Sequence, residues 1–435
     1  MQCGLQMFRK LLQVFSYPFR QGNTKFEWLV LMYPVFFPTI KSWGNAISFL
    51  MLAVALSQIS FNKKLYFRKR SKTFWLLLFT IISPFCFEFI VQCLRGPFTW
   101  NALDGPSRFL IGGIIFIFLS RKDNIGNLVK SFSAGCTIGL FLTLIYISYF
   151  DNYEYWLGRC ATKILCPNAL PVYILIMGIN SFFYIYFSDL VVPKKYILLL
   201  LVSIIVVYIL VICETRTVWV SLILSIVLSC FLLSWKRKVK LLYLTLTFVL
   251  IIYSSYIISP TIQKRVDYSS QNISKIIYEI NSPSTWNTSV GGRLGLVKLD
   301  FHLACQNLFG FPDGTLPSYE SISEQIPFMT EHVYSIRLLS GSHCEYTAHL
   351  SRKGIIFGML TIISIFIFPL YFFCRIFKKC IQENIYLYSA LITITSVLVN
   401  ALGIQVFGLK MTSTFWAVYL ALFYSYGLKS IRSSD

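Results

Sequence analysis

Long apolar segments separated by short basic connections run through almost the whole sequence, and this alternation limits what the chain can fold into. An α-helix needs about 20 apolar residues to cross a bilayer, and many of these segments approach that length. Hydrophobic residues make up 56% of the 435 residues and charged residues only 13%, whereas about a quarter of the residues in soluble domains are charged. The pattern predicts an all-α polytopic membrane protein.

Twelve segments are apolar enough to be transmembrane helices. Between the ninth and the tenth lies the only long polar part of the sequence, residues 259–353, which we call the polar interval. The order predicts nine transmembrane helices in residues 1–258, a large loop with amphipathic helices in the polar interval, and three transmembrane helices in residues 354–435. No cleavable signal is found near the first segment, which is therefore expected to be retained. The twelve segments are 26–40, 43–61, 74–94, 107–120, 131–150, 169–190, 196–213, 217–235, 240–258, 354–374, 385–403 and 411–428.

The lysines and arginines are distributed unevenly between the two sides of the predicted membrane. With both termini in the cytoplasm, cytoplasmic segments hold 24 of the 39 basic residues, short outer connections hold 7, and the polar interval holds the other 8. Short cytoplasmic loops carry an excess of positive charge in membrane proteins. The bias therefore places the polar interval outside the cytoplasm, together with the connections that hold Arg159 and Arg216.

A nucleic-acid site and a metal site are disfavoured by the same sequence, and a disulfide is left open. The net charge of +21 is explained by retention of basic loops in the cytoplasm, so no nucleic-acid partner is predicted. His343 and His349 are six residues apart, which does not put two metal ligands on one helical face, and no HExxH pattern occurs. Most cysteines lie in or beside apolar segments, but Cys160 and Cys166 are predicted to lie outside, where a disulfide between them is left open.

Arg216 is the first candidate for binding a substrate. It stands between two apolar segments that are joined with almost no connection, so its guanidinium is expected at or just below the outer membrane surface. An arginine in that position needs an anionic partner or water. Glu214 or lipid headgroups could supply this partner, and an anionic group of a substrate is the functional alternative.

Arg293 is the second candidate, because it follows two glycines and is predicted to open an amphipathic helix. The first turn of such a helix directs backbone N–H groups, together with Arg293, towards a bound phosphate. A solvated first-turn arginine would leave the same pattern, so the alternative stays open. The predicted apolar face consists of Leu294, Val297, Phe301, Ala304 and Leu308.

His343 is the third candidate and one of four histidines, all of which lie in the polar interval. The stretch Gly341-Ser342-His343-Cys344-Glu345 predicts a capping box in which Ser342 is the N-cap and Glu345 the third helical residue. His343 would then lie in the first turn, where the positive end of the helix dipole disfavours imidazolium. A neutral imidazole near pH 7 can accept a proton, and a purely structural histidine is the alternative.

Five short stretches in a fixed order make the chain resemble the bacterial O-antigen ligases, part of a superfamily that includes the O-antigen polymerases and some protein oligosaccharyltransferases. The resemblance covers essentially the whole chain, including the predicted twelve spans and the large loop before the tenth. Where the family usually has His-Asn at the helix start, this chain has His343-Cys344. The stretches are Leu103-Asp104-Gly105-Pro106-Ser107-Arg108-Phe109, Gly158-Arg159 with Cys166-Pro167-Asn168, Thr215-Arg216-Thr217, Gly292-Arg293-Leu294, and Gly341-Ser342-His343-Cys344-Glu345-Tyr346 ahead of Gly354.

The resemblance implies a glycosyltransferase that uses no nucleotide sugar, metal or other cofactor. The donor would be a glycan on undecaprenyl pyrophosphate, and the acceptor a hydroxyl of lipid A-core, in lipopolysaccharide biosynthesis at the periplasmic leaflet of the bacterial inner membrane. The resemblance implies that Arg216 and Arg293 bind the pyrophosphate and that His343 is the general base. It makes Arg159 a weaker candidate for binding phosphate or acceptor. Attack opposite the leaving group would invert the anomeric centre.

Two alternatives to a ligase remain open from the sequence. An O-antigen polymerase would use the same donor but extend another lipid-linked chain. A transporter of the lipid-linked glycan would need charges deep within several spans, and Glu88 is one of the few that the sequence offers. The identity of the glycan, the accepting sugar and the oligomeric state do not follow from the residues.

Overall fold

A computed structural model describes residues 25–67, 70–96, 98–150, 160–234, 257, 260–279, 282–311, 316–326, 329–379 and 385–434. Within these residues the chain is 81% helix and has no β-strand. The helices, labelled in chain order, are α1 Lys25–Val35, α2 Trp43–Phe61, α3 Lys63–Phe67, α4 Lys72–Arg95, α5 Trp100–Leu119, α6 Ile125–Tyr149, α7 Leu170–Tyr186, α8 Val192–Ile212, α9 Arg216–Ser234, α10 Pro260–Tyr278, α11 Pro283–Trp286, α12 Ser289–Gln306, α13 Tyr319–Gln325, α14 Glu331–Ser340, α15 Glu345–Ile362, a π-helical turn Ile363–Ile367, α16 Phe368–Lys379, α17 Ile385–Asn400 and α18 Lys410–Ser434.

Six helices in the described part of the chain are long and apolar enough to cross a membrane: α2, α4, α5, α6, α8 and the continuous run Glu345–Phe377. Shorter apolar helices cover Leu170–Tyr186, Arg216–Leu232 and Tyr386–Asn400. The prediction of an α-helical membrane protein is therefore confirmed at this level. The predicted segment 240–258 lies outside the described residues except for Ile257, so the count of twelve spans stays a prediction.

The centre of the helical bundle is built around α18. Its residues from Phe415 to Tyr424 are no more than 3% exposed, and the helix packs against α5 and α6. Gly112 of α5 allows the closest approach, since a Cβ atom at that position would lie 2.8 Å from the carbonyl oxygen of Ala417. Small residues at such crossings let the backbones of membrane helices come into contact. The central part of α18 is apolar on all sides, and other helices enclose it.

The polar interval folds into a helical unit with a small hydrophobic core of its own. Gly295 lies at the middle of this core, where Val333 of α14 and Trp286 of α11 approach within 3.1 and 3.4 Å of the position that its Cβ atom would occupy. The absence of a side chain at Gly295 lets the three helices pack closely. The core residues are Trp286, Leu296, Leu299, Leu303, Ile322, Ile326, Met329 and Val333.

The apolar face predicted for α12 is not the side that packs inside the polar interval, because α11 and α14 cover a different side of the helix. The buried side carries Leu296, Leu299 and Leu303. Phe301 and Leu308, which belonged to the predicted face, are 54% and 57% exposed. Apolar residues occur on both sides of this helix, so spacing alone could not decide which side meets the core.

A break in α15 fastens the polar interval to the bundle. Gly354 has a left-handed φ of 73°, and a Cβ atom there would lie 1.8 Å from the carbonyl oxygen of Leu308. The turn that follows α12 therefore contacts the backbone of the break directly, and Phe311 N donates to Ser351 O at 2.7 Å. Only glycine combines this φ with such a close contact.

A buried ion pair joins α15 to α4 beside the same break. Lys353 Nζ lies 3.3 Å from Glu88 Oε2, and both side chains are less than 10% exposed. Gln92 donates to the other carboxylate oxygen of Glu88 at 3.0 Å, and Thr99 donates to Gln92 at 3.1 Å. The intramembrane carboxylate noted in the sequence thus has a positive partner, as charges inside membrane proteins usually do.

Candidate functional site

His343 lies on the short segment between α14 and α15, and the capping box predicted for this segment is wrong. The helix begins at Glu345 with Cys344 as its N-cap, so His343 precedes the helix and is not part of its first turn. Ser342 Oγ accepts a hydrogen bond from Cys344 N at 3.2 Å and donates to Cys344 O at 3.0 Å, which makes a tight local turn. The carboxylate of Glu345 accepts a hydrogen bond from Phe407 N at 3.0 Å. This contact from the α17–α18 connection occupies the carboxylate that the capping box would have used.

Arg293 does not open its helix as predicted. Helix α12 begins at Ser289, and its N-cap Thr288 accepts a hydrogen bond from Gly291 N at 3.1 Å. Arg293 is therefore in the second turn, so an anion bound by this residue would contact its guanidinium and not the N–H groups of the helix N-terminus. Gly291 is required by the close turn, because a Cβ atom there would lie 1.9 Å from Thr285 O.

The structure brings Arg293 and His343 together. The pKa of His343 is lowered from its ordinary value of 6.5, first because the side chain is largely buried and second because the positive charge of Arg293 lies nearby. Both effects disfavour the imidazolium ion. His343 is therefore neutral near pH 7, and it owes this to burial and a neighbouring cation instead of the predicted helix dipole.

A buried network of polar side chains joins the helices on either side of His343. Asp300 of α12 is 0% exposed and accepts hydrogen bonds from Arg337 Nε at 2.8 Å and from Thr347 Oγ1 at 2.9 Å. Arg337 also donates to Ser351 Oγ at 3.2 Å, and Thr347 Oγ1 lies 3.3 Å from Ser342 Oγ. The network joins α12, α14 and α15 on either side of His343. Sequence reasoning missed it, because nothing in the local pattern pairs Asp300 with Arg337.

Arg216 is the first residue of α9 and lies against the polar interval. Its guanidinium carbon is 5.7 Å from the centre of the Tyr268 ring, a cation–π contact with α10. Helix α10 in turn packs against α12, which carries Arg293. The preceding turn is held by Thr215, whose hydroxyl donates to Pro167 O at 2.6 Å, and Glu214 has a left-handed φ of 53°.

The connection between α17 and α18, residues 401–409, contacts both the Arg216 region and the His343 segment. A Cβ atom on Gly403 would lie 2.3 Å from Thr217 Cγ2, next in sequence to Arg216. Two residues further on, the amide of Gln405 lies 3.4 Å from the position of a Cβ atom on Gly341. Consecutive Cα atoms are about 3.8 Å apart, so this short loop keeps the start of α9 and the segment before α15 close together.

The remaining candidates have other surroundings. Arg159 lies outside the described residues. The thiol of Cys166 is free, so the structure contains no bridge between Cys160 and Cys166. His349 Nε2 lies 3.3 Å from Glu345 Oε1 within α15. In the described ranges no group of three or more His, Cys, Asp or Glu side chains is placed to hold a metal ion.

Comparison of the sequence with known proteins identifies no family: no family model matches the chain, and no curated protein matches it. The chemistry of the site therefore has to be inferred from its own residues. Those residues are a neutral histidine, an arginine beside it, and a second arginine on a neighbouring helix end. Such a set can take a proton from a hydroxyl and stabilise an anionic phosphate group.

Proposed function

We propose that the protein is a glycosyltransferase of the O-antigen ligase type. It transfers a glycan from undecaprenyl pyrophosphate to a hydroxyl of lipid A-core. The observation that carries the proposal is the largely buried position of His343 within reach of the positive charge of Arg293, because both lower the pKa of the imidazole and keep it neutral. The order of motifs along the chain, which resembles that of the ligases, supplies the substrates.

His343 acts in this proposal as the general base. It takes the proton of the acceptor hydroxyl while the hydroxyl oxygen attacks the anomeric carbon of the donor sugar. The bond between that carbon and the pyrophosphate oxygen breaks, and its electron pair leaves with the pyrophosphate. Attack from the face opposite the leaving group inverts the anomeric centre. The proton passes from His343 to solvent or to the leaving group.

Arg216 and Arg293 stabilise the negative charge that grows on the leaving pyrophosphate. A planar guanidinium can bind two phosphate oxygens at once, which suits arginine to this role better than lysine. Arginines in a largely dehydrated site stabilise such charge without a metal ion. Arg293 is carried by α12 beside the base, and Arg216 by the start of α9 against α10.

The proposal places the reaction at the periplasmic leaflet of the bacterial inner membrane. Its support is the distribution of basic residues, 24 of 39 in the segments assigned to the cytoplasm. The six apolar helices embed the chain in a membrane, where both lipid-linked substrates reach the site by lateral diffusion. The partners are thus the lipid-linked donor, lipid A-core and the surrounding lipids.

The proposal is tested by transfer in vitro with the protein in nanodiscs, lipid-linked glycan and lipid A-core, with and without a chelator. Transfer to lipid A-core that persists with the chelator supports a metal-independent ligase. Elongation of the glycan on its lipid carrier would assign a polymerase instead. Loss of product on chelation would overturn the metal-independent mechanism.

His343→Ala is the decisive variant in this assay. It should abolish transfer while the protein stays folded, because proton removal by a positioned base contributes about 10²–10⁴-fold to such reactions. His332→Ala is the matched control, since His332 is exposed on α14. Near-normal turnover by His343→Ala would remove the residue as the base.

A further inference from the structure

The connection between α17 and α18 carries a polar group that none of the interactions described above uses. Nε2 of Gln405 is buried and has no hydrogen-bond partner among the residues that the structure describes. A buried N–H donor without an acceptor is costly, and native proteins keep few of them. When such an unsatisfied donor lies beside a reactive group, binding of a ligand explains why it is kept, because the ligand supplies the missing acceptor.

The backbone around Gln405 is held firmly, so the position of its amide is defined. Glu345 N donates to Ala401 O at 2.9 Å, and Phe407 N donates to the carboxylate of Glu345 at 3.0 Å. These two bonds clamp the connection on both sides of Gln405 to the first residue of α15. The amide is therefore held at a defined position beside the segment that carries His343.

The neighbours of Gln405 place it between the start of α9, which carries Arg216, and the segment that carries His343. Its amide lies against Gly341, two residues before His343, where φ is 74° and no side chain intervenes. On the other side of the same connection Gly403 contacts Thr217, next to Arg216. The hydroxyl of Thr217 is likewise buried without a partner in the described part of the chain. Two unused polar groups thus lie on one loop contact between Arg216 and His343.

We propose that Gln405 is a substrate-binding residue that donates a hydrogen bond from Nε2 to a pyrophosphate oxygen of the lipid-linked donor. This inference rests on the proposed function. A carboxamide nitrogen can only donate, so its partner must be an acceptor oxygen. The pyrophosphate that Arg216 and Arg293 bind in the proposed function supplies such acceptor oxygens, and they are anionic.

The neutrality of the amide fits the same site. A third cation near His343 would lower the pKa of the base further and weaken it, because Arg293 already acts in that direction. Gln405 adds a donor for the anion and leaves the charge beside the base unchanged. A glutamate at this position would do the opposite, since it offers no donor and repels the phosphate.

Gln405→Glu is therefore the main test, with Gln325→Glu as the matched control, because Gln325 is exposed on α13 and the change of charge is the same. Binding is measured by calorimetry with inorganic pyrophosphate as the probe, and the KM for the lipid-linked donor is measured in nanodiscs. We expect Gln405→Glu to raise the dissociation constant for pyrophosphate and the KM for the lipid-linked donor by about 10-fold or more. This is the usual effect of losing a hydrogen bond to a charged group. Gln325→Glu should stay within twofold of the parent protein.

Gln405→Asn keeps the amide but shortens the side chain, and it is measured alongside in case Gln405→Glu does not fold. A severalfold loss of pyrophosphate affinity in a folded Gln405→Asn protein supports the inference. If the folded variant has a dissociation constant for pyrophosphate and a KM for the donor within twofold of the parent values, the inference is overturned. Thermal unfolding in the same nanodiscs establishes which variants are folded.

Two further measurements distinguish failure of the role proposed for Gln405 from failure of the proposed function. If Arg293→Ala and His343→Ala transfer glycan normally, the proposed function itself fails. If both lose transfer while Gln405→Glu binds pyrophosphate like the parent, only the role of Gln405 fails. The last arm adds phosphatidylglycerol to the nanodiscs and measures whether it competes with pyrophosphate. If Gln405→Glu abolishes this competition but leaves the affinity for pyrophosphate unchanged, the amide binds a lipid headgroup. That result would overturn the assignment to the donor.

Discussion

Replacing Asp300 with Asn should destabilise the folded protein by about 3–5 kcal/mol, because it removes a buried carboxylate that pairs with the buried guanidinium of Arg337. The Asp300 and Arg337 side chains are 0% and 3% exposed, and the two atoms that pair are 2.8 Å apart. Asn has nearly the same volume and keeps an oxygen within reach of Arg337 Nε. The change therefore removes the charge and almost nothing of the packing.

Burial decides the size of this effect, and a second ion pair in the same chain provides the comparison. Asp104 pairs with Arg108 at 2.6 Å and also with Lys410, but its side chain is 33% exposed. Asp104→Asn should therefore cost only about 1 kcal/mol or less, as partly solvated pairs do. The two substitutions are chemically identical, so any difference between them reports the surroundings of the carboxylate.

The free energy of unfolding is measured by titration with SDS in mixed micelles, with helicity as the signal. The double variant Asp300→Asn with Arg337→Met should recover much of the loss, because it removes the buried positive charge as well. A cost for Asp300→Asn no larger than that for Asp104→Asn would refute the reasoning. Failure of the double variant to recover any stability would show that packing, not charge, dominates at this site.

Two more outcomes follow from the site and from its attachment to the bundle. The acidic limb of kcat/KM should lie below pH 6.5, since the pKa of His343 is lowered from that value and only the neutral imidazole accepts a proton. Arg293→Gln should shift the acidic limb of the residual activity to higher pH, because the charge that lowers the pKa of His343 is removed. An acidic limb at the same pH would contradict the Coulombic contribution of Arg293. Gly354→Ala should prevent accumulation of folded protein, because the added Cβ would meet Leu308 O at 1.8 Å, whereas Gly105→Ala has open space and should fold normally. Size-exclusion profiles in detergent distinguish the two, and a monodisperse Gly354→Ala protein would contradict the close contact.

The local helix starts show where sequence patterns stop being sufficient. The stretch before α15 contains the residues of a capping box, yet Glu345 bonds to Phe407 N, 62 residues away in sequence. The start of α12 is likewise set by Thr288, and this moves Arg293 into the second turn. A cap is a competition between nearby and distant hydrogen-bond partners, and the distant ones are unknown until the chain is folded.

The sequence by itself determined that this protein is a bundle of apolar helices, because a segment in lipid must satisfy its backbone internally and its length sets whether it can span. It also singled out Arg293 and His343, and in the folded chain the charge of Arg293 lowers the pKa of His343. Only the tertiary structure decided which face of α12 is buried, that Lys353 neutralises Glu88, and that Asp300 and Arg337 support the site. These outcomes depend on contacts between residues far apart in the chain, and such contacts leave no periodic signature in the order of residues.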